Sequence, residues 1–316
     1  MNSSSRPLVT IAMPTYNRAD GYLAEALESA LAQTYPSLEI LISDNCSSDG
    51  TPDLVSTYDD PRIRYVRHDT NLGAQGNFDY CLEAARGDFF VMLHDDDRMD
   101  PDFVEVCVEA LEGRTGVGYV RTGNRLLDGD GAVVRERPNG AAGKTGVDAL
   151  LAWMRAENYW ALSSTLYETA ELRAIGGFPT DTFPLTFDCH ATANLALRAG
   201  GIEIETPKAS FRIHDGELSH KMAPHQWMEE WRRLYAEIVS WAPSESDREA
   251  LKAQGSEFFS MLNYQFASKV EGRISRLAAY ADVGVRFRRL PPAVTHRLRS
   301  WRRSLLPSTN QSAPQH

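Results

Sequence analysis

Phe89-Phe90-Val91-Met92-Leu93-His94-Asp95-Asp96-Asp97 is the stretch that decides the fold. Five apolar residues in a row predict a short buried strand. Three carboxylates then emerge together at its C-terminal end. In an open α/β sheet, ligands bind outside the C-terminal ends of the strands. Adjacent ionised carboxylates at a semi-buried edge repel, and at least one takes up a proton unless a cation neutralises them. Two readings stand at this point. One is a divalent-metal site carrying a phosphorylated ligand; the other is a solvated acidic turn, since Asp is an ordinary turn former.

Working outward, strand and helix alternate through the first hundred residues. Residues 8–13 predict a strand ending at Pro14. Residues 22–33 place Leu23, Ala26, Leu27, Ala30 and Leu31 on one helical face. Residues 38–42 and 63–66 predict two more strands, with a polar turn over 43–50 between them. Phe78, Cys81, Leu82 and Ala85 stripe a helix with Gly87 at its C-terminal end, and Val104, Cys107, Val108 and Leu111 stripe the next. Such alternation predicts a largely parallel α/β sheet. Beyond Gly118 the pattern changes. Asp128-Gly129-Asp130-Gly131 predicts a hairpin within 123–134, and 138–146 reads as loop. A strand is expected over 163–167, a turn at Gly176-Gly177, a helix over 188–198, and strands over 202–205 and 209–213. Residues 227–280 read as helices broken only at Ala242-Pro243-Ser244, and the polar stretch from Pro307 reads as disordered.

The bulk properties narrow the function. The chain has 316 residues and a net charge of -10, which argues against a general nucleic-acid binder. An anionic substrate would therefore need a local positive element. Cys46, Cys81, Cys107 and Cys189 lack CxxC spacing and read as thiols in a reducing compartment, not as a zinc site or disulfide framework. No signal-peptide pattern opens the chain, and no apolar run is long enough for a bilayer, so a cytoplasmic protein is expected. Beyond Gly272 stand nine arginines and one acidic residue, Asp282. Arg286, Arg288, Arg289, Arg297, Arg299, Arg302 and Arg303 interleave with Phe287, Leu290, Leu298, Trp301, Leu305 and Leu306. This region either lies on an anionic membrane at the inner face or packs as a solvated helix on the protein's own acidic surface.

Two lookalikes fail. Gly140-Ala141-Ala142-Gly143-Lys144-Thr145 has Pro138 where a phosphate loop needs its first glycine. Gly116-Val117-Gly118 lacks the third glycine of a dinucleotide fingerprint. The positive signal is an ordered series of loops at strand ends: Pro14-Thr15-Tyr16-Asn17, then Ser43-Asp44-Asn45-Cys46-Ser47-Ser48-Asp49-Gly50-Thr51, then Asn71-Leu72-Gly73 with Asn77, then the acidic triplet. Together they line one sheet edge with donors, acceptors and carboxylates, as a nucleoside-diphosphate pocket requires.

This order resembles the family 2 glycosyltransferases. The resemblance includes Ser29, Gln33-Thr34-Tyr35-Pro36, Ala85-Arg86-Gly87-Asp88 and Pro101. It resumes at Gly176-Gly177-Phe178, at Asp188 with Leu197-Arg198-Ala199-Gly200, and at Arg212-Ile213-His214 with Ser219, so that it covers residues 8–219. It implies a GT-A type, Rossmann-like, mostly parallel sheet flanked by helices. The expected organisation is a nucleotide-sugar-binding half (1–118), an acceptor-binding half (119–222), a helical C-terminal region (223–306) and a tail (307–316). The resemblance further implies that Pro14, Thr15, Tyr16, Asn17, Asn71, Gly73 and Asn77 frame the nucleotide. Asp44 would accept from the base, Asp95 would contact the ribose, and Asp96 would ligate Mn²⁺ or Mg²⁺. His214 is a candidate metal or phosphate contact, with a structural histidine as its alternative. Asp188 matches the general base of an inverting transfer; Asp181 is its nearest competitor.

Two positions depart from the family: His94 stands where Asp is common, and Phe187-Asp188 where Glu-Asp is common. Trp153, Tyr159 and Trp160 could stack on an acceptor sugar or belong to the core. His68, His190, His220 and His225 read as surface or packing residues. The expected activity is metal-dependent transfer of a sugar from a nucleotide donor, UDP-sugar first and dTDP-sugar next, to an acceptor hydroxyl. The alternatives are a nucleotidyltransferase, which would need a glycine-rich basic loop that is missing, and a degenerate sugar-nucleotide-binding scaffold, suggested by His94 and Phe187. The sequence leaves the oligomeric state open.

Overall fold

The computed structural model describes residues 6–214 and 222–287. Ser219, His220, the arginines from Arg288 onward and the stretch from Pro307 lie outside the described residues.

Strands β1 (Val9–Thr15), β2 (Leu38–Asp44), β3 (Ile63–Arg67) and β4 (Phe89–Met92) form one parallel unit. They lie in the order β3-β2-β1-β4. Period-two alternation explains why the unit is covered on both faces. Val9, Ile11 and Met13 of β1 pack into one core with Leu23, Ala26 and Leu27 of α1 (Leu23–Leu31) and Phe103, Val104 and Cys107 of α4 (Phe103–Ala110). Ala12 faces the other way, into a core with Cys81 and Leu82 of α3 (Gly73–Ala84). β1 extends through Pro14, two residues past the expectation. Its register with β4 stops at Ala12, so Pro14's missing N–H removes no bond on that side.

The sheet continues through β8 (Thr165–Glu168), which pairs antiparallel with β4, and then through β6 (Tyr119–Leu127) and β9 (Gly201–Arg212). A two-residue edge, β5 (Arg98–Met99), closes the order, and β7 (Val133–Arg137) pairs with β6 as the expected hairpin. The two strands expected over 202–205 and 209–213 are a single strand, β9. Pro207 is accommodated opposite Gly123, where the register shifts. A Cβ at Gly123 would stand 2.7 Å from the carbonyl oxygens of Arg137 and Glu205, so the close approach requires glycine.

Helices α2 (Thr51–Ser56), α5 (Gly146–Met154) and α6 (Thr169–Ala174) were not foreseen, while α7 (Phe187–Arg198) was. The C-terminal region comprises α8 (Pro224–Ser240), α9 (Glu245–Ala267) and α10 (Arg273–Phe287). The break at Ala242-Pro243-Ser244 is present, and the Ser244 hydroxyl caps α9 by accepting from the Asp247 N–H at 3.1 Å. A second break at 268–272 corrects the expectation of one; there Gly272 adopts φ +82°. Helices α8 and α9 extend the α3-side core through Leu234, Ile238, Leu251 and Phe259.

Candidate active site

Parallel strands bring the loops after β1 and β2 side by side. Asn17, at φ +53°, donates its N–H to Ser47 Oγ at 2.8 Å and accepts from the Ser48 N–H at 2.8 Å. The Arg18 and Ala19 N–H groups donate to Thr51 Oγ1 and Asp49 Oδ2. The third loop is tied in by Asn45, whose amide donates to Asn71 Oδ1 and to the Gly73 carbonyl, both at 3.0 Å. Asn77 is buried and exchanges hydrogen bonds with Ser43. Asn71, Gly73 and Asn77 therefore brace the loops, while Tyr16 and Asn17 stand exposed at the rim and Pro14 and Thr15 lie buried behind them. Asp44 is fully buried; Oδ1 accepts from the Ser47 N–H and Oδ2 from the Tyr65 hydroxyl.

The acidic turn follows β4. Asp95 is buried, with Oδ2 3.4 Å from Arg18 Nε. Burial pushes its pKa up to about 6 against the pull of Arg18. Asp97 is also buried, and burial, then the charge of Asp96, push it up to about 7. Asp96 is half-buried, and its Oδ2 lies 2.9 Å from Nε2 of His214. Sequence reasoning named both and gave no means of seeing them meet.

Arg212 holds this arrangement. Its backbone N–H donates to Asp97 Oδ1 (3.1 Å), its Nε to the Asp96 carbonyl (3.0 Å), and its Nη2 to Glu25 Oε2 on α1 (2.7 Å). Nη1 reaches the Asp128 and Gly129 carbonyls of the hairpin turn, and the guanidinium lies over Tyr22 at 4.0 Å. Arg98 joins the same Glu25 at 3.4 Å. Arg212 lay within the quoted Arg212-Ile213-His214, without a role; neither Arg18 nor Glu25 gave any signal of its own.

The other wall is aromatic. His94 stacks on Phe78 (centroids 5.7 Å, 22° between planes), and Phe78 contacts Phe187 at 5.5 Å. This chain brings the first turn of α7 toward the acidic turn. Asp188 stands in that turn, its pKa raised by burial and opposed by hydrogen bonds from Cys189 and by the charge of His94. Asp181, its competitor, is exposed and accepts from the Thr182 hydroxyl. Trp153 and Trp160 stack on each other at 4.2 Å within the core, whereas Tyr159 is exposed. His68 and His190 are packing residues, held by Ser43 and Glu237, and His225 is exposed.

The donor set fits a divalent ion. His94, Asp96 and Asp97 each offer one ligand atom, and these atoms all lie within 4.8 Å of one another. Six-coordinate ions with bonds of about 2.1 Å separate their ligands by about 3 to 4 Å.

The profile of glycosyl transferase family 2 matches residues 10–144, from β1 through the hairpin. Among relatives, the succinoglycan biosynthesis protein ExoO of Rhizobium meliloti is 40% identical over 106 residues, 34% of this chain and 30% of its own. The putative teichuronic acid biosynthesis glycosyltransferase TuaG of Bacillus subtilis is 35% identical over 128 residues, 40% of this chain and 50% of its own. The matched stretch thus spans no more than half of either relative. The fold is similar to that of S. aureus TarS 1–349 in complex with UDP-GlcNAc, with a TM-score of 0.66 at 17% identity over 92% of this chain and 83% of that one. A mannosyltransferase from Pyrobaculum calidifontis, in complex with GDP-Man and Mn²⁺, aligns with a TM-score of 0.60 at 19% identity over 94% of this chain and 84% of that one. The chain therefore has the GT-A fold, followed by a helical C-terminal region.

Proposed function

We propose that the protein transfers a sugar, with inversion, from a nucleoside-diphosphate donor to a hydroxyl of a glycan, lipid-linked or small-molecule acceptor. The observation that carries this is the convergence of Asp96 and His214, 118 residues apart, beside the aromatic wall that leads to Asp188. The half at 1–118 takes the donor and the half at 119–222 the acceptor. Tyr16, Asn17 and Asp95 hold the nucleoside; UDP is favoured and dTDP next. A base reaches Asp44 only by displacing the Tyr65 hydroxyl or by moving the Ser47 loop. Asp96 and His214, with Asp97 behind them, hold Mn²⁺ or Mg²⁺, which when bound offsets charge on the departing diphosphate. Asp188 takes the acceptor's proton as its oxygen attacks the anomeric carbon. The ligands of the two structural neighbours support a nucleotide sugar as donor.

The same reading places the protein in the cytoplasm with its C-terminal region on an anionic membrane. Ile274, Leu277 and Val285 of α10 are 84%, 61% and 78% exposed, and with Ala278 and Ala281 they fall on one face. Val283 and Phe287, on the opposite face, are buried. The excess of arginine beyond Gly272 suits an anionic surface rather than a second basic helix. Among the described residues, no helix is long and apolar enough to cross a membrane.

The test is a panel of nucleotide sugars with Mn²⁺, following nucleoside diphosphate release with and without acceptors. Turnover with one donor, lost in Asp96→Ala, is expected. Metal-independent binding without turnover across the panel would leave the scaffold reading in its place.

A further inference from the structure

The acidic turn contains one residue that the proposed transfer has not used. His94 is half-buried between the carboxylates and Phe78, and its Nε2 is buried with no hydrogen-bond partner among the described residues. Its Nδ1 faces Asp97 Oδ2 at 3.9 Å. That distance is too long for a hydrogen bond. It falls within the range that separates two ligands of one ion, and one ring nitrogen of His94, one oxygen of Asp96 and one of Asp97 all lie within 4.8 Å of one another. Contact with Phe78 limits the ring's freedom to turn away. His214 brings a second imidazole nitrogen to Asp96.

Nitrogen donors change which ions a carboxylate site prefers. Mg²⁺ and Ca²⁺ are hard ions that favour all-oxygen shells, whereas imidazole suits the first-row transition ions, with affinity rising from Mn²⁺ through Co²⁺. An all-carboxylate turn discriminates weakly between Mg²⁺ and Mn²⁺. A turn with an imidazole in the first of its four places does not.

We propose that His94 is a nitrogen ligand of the divalent ion held at the acidic turn, and that it makes the site select Mn²⁺ and its heavier neighbours over Mg²⁺. This rests on the reading of Asp96 and His214 as metal ligands, and it adds a second nitrogen donor to the one His214 supplies, strengthening the preference.

The experiment uses the full-length protein stripped of metal and titrated with Mn²⁺, with free Mn²⁺ read by electron paramagnetic resonance and Mg²⁺ added as competitor. Pulsed measurements on the bound ion count its ¹⁴N ligands. Two variants are compared: His94→Asn, which removes the imidazole, and His94→Asp, which places a carboxylate there. The wild type is expected to prefer Mn²⁺ at least tenfold more strongly than either variant, and His94→Asn is expected to lose one of two nitrogen couplings. Melting curves of the metal-free proteins verify that the variants fold. If a folded variant keeps both the ion preference and the nitrogen count, His94 is not a ligand, while Asp96 and His214 keep their role. If the wild type binds no Mn²⁺, with or without added UDP, both readings fall together.

Discussion

Asp188 is the residue whose environment makes the sharpest demand on the chemistry. Burial raises its pKa, so the carboxyl holds its proton to higher pH than an exposed aspartate, which titrates near 4. As the proposed general base, Asp188 works in the deprotonated form. Activity is therefore expected to fall as pH drops through a value above that of an exposed aspartate, and kcat/KM against pH should show that acidic limb. Asp188→Asn should lower kcat by about 10² to 10⁴ while leaving donor affinity within about twofold. Near-normal turnover in that variant would move the base elsewhere. At this scale the sequence was informative where short-range chemistry announces itself: a run of aspartates behind an apolar strand, and turn formers at successive strand ends. It was silent on Arg212. An arginine at a strand end looks like any solvated cation until Glu25 meets it from 187 positions away. Arg212→Lys keeps the charge and loses the fork, and should weaken Mn²⁺ binding at Asp96 more than tenfold with little change in KM for acceptor.

Among the elements, the parallel unit β3-β2-β1-β4 was legible because each strand is a short apolar run bounded by polar turns. Helix α5 was not, because Gly146 and an apolar stretch buried nearly all round give no amphipathic stripe. The two-residue β5 exists only through its pairing with β9. The β6–β9 pair depends on a feature that hydrophobic patterning cannot show: Arg121 and Glu203 are both fully buried and bonded through the guanidinium. Tyr119 and Asn139 also donate to Glu203. Removing one partner leaves a charge without compensation. Glu203→Ala is expected to cost about 3 to 5 kcal/mol in urea unfolding. Loss of less than about 1 kcal/mol would mean that water or another group replaces the carboxylate.

For the molecule as a whole, the exposed apolar face of α10 predicts a partition experiment. Ile274→Glu with Leu277→Glu should reduce binding to vesicles containing phosphatidylglycerol at least tenfold, at unchanged melting temperature and unchanged donor turnover. Equal binding by wild type and variant would assign any attraction to the remaining arginines alone, and a dimer abolished by the variant would make a second copy the partner. The Asp96–His214 contact has a consequence at this scale too. The two side chains stand 118 residues apart in the chain, and an ion gripping both would close a loop of that length without a covalent bond. Such a bridge is a removable staple: it binds the folded state alone, so stability should rise with the logarithm of ion concentration. A chelator should then lower Tm as well as abolish transfer, and the metal would act as a fastening of the fold, undone and remade as the ion comes and goes.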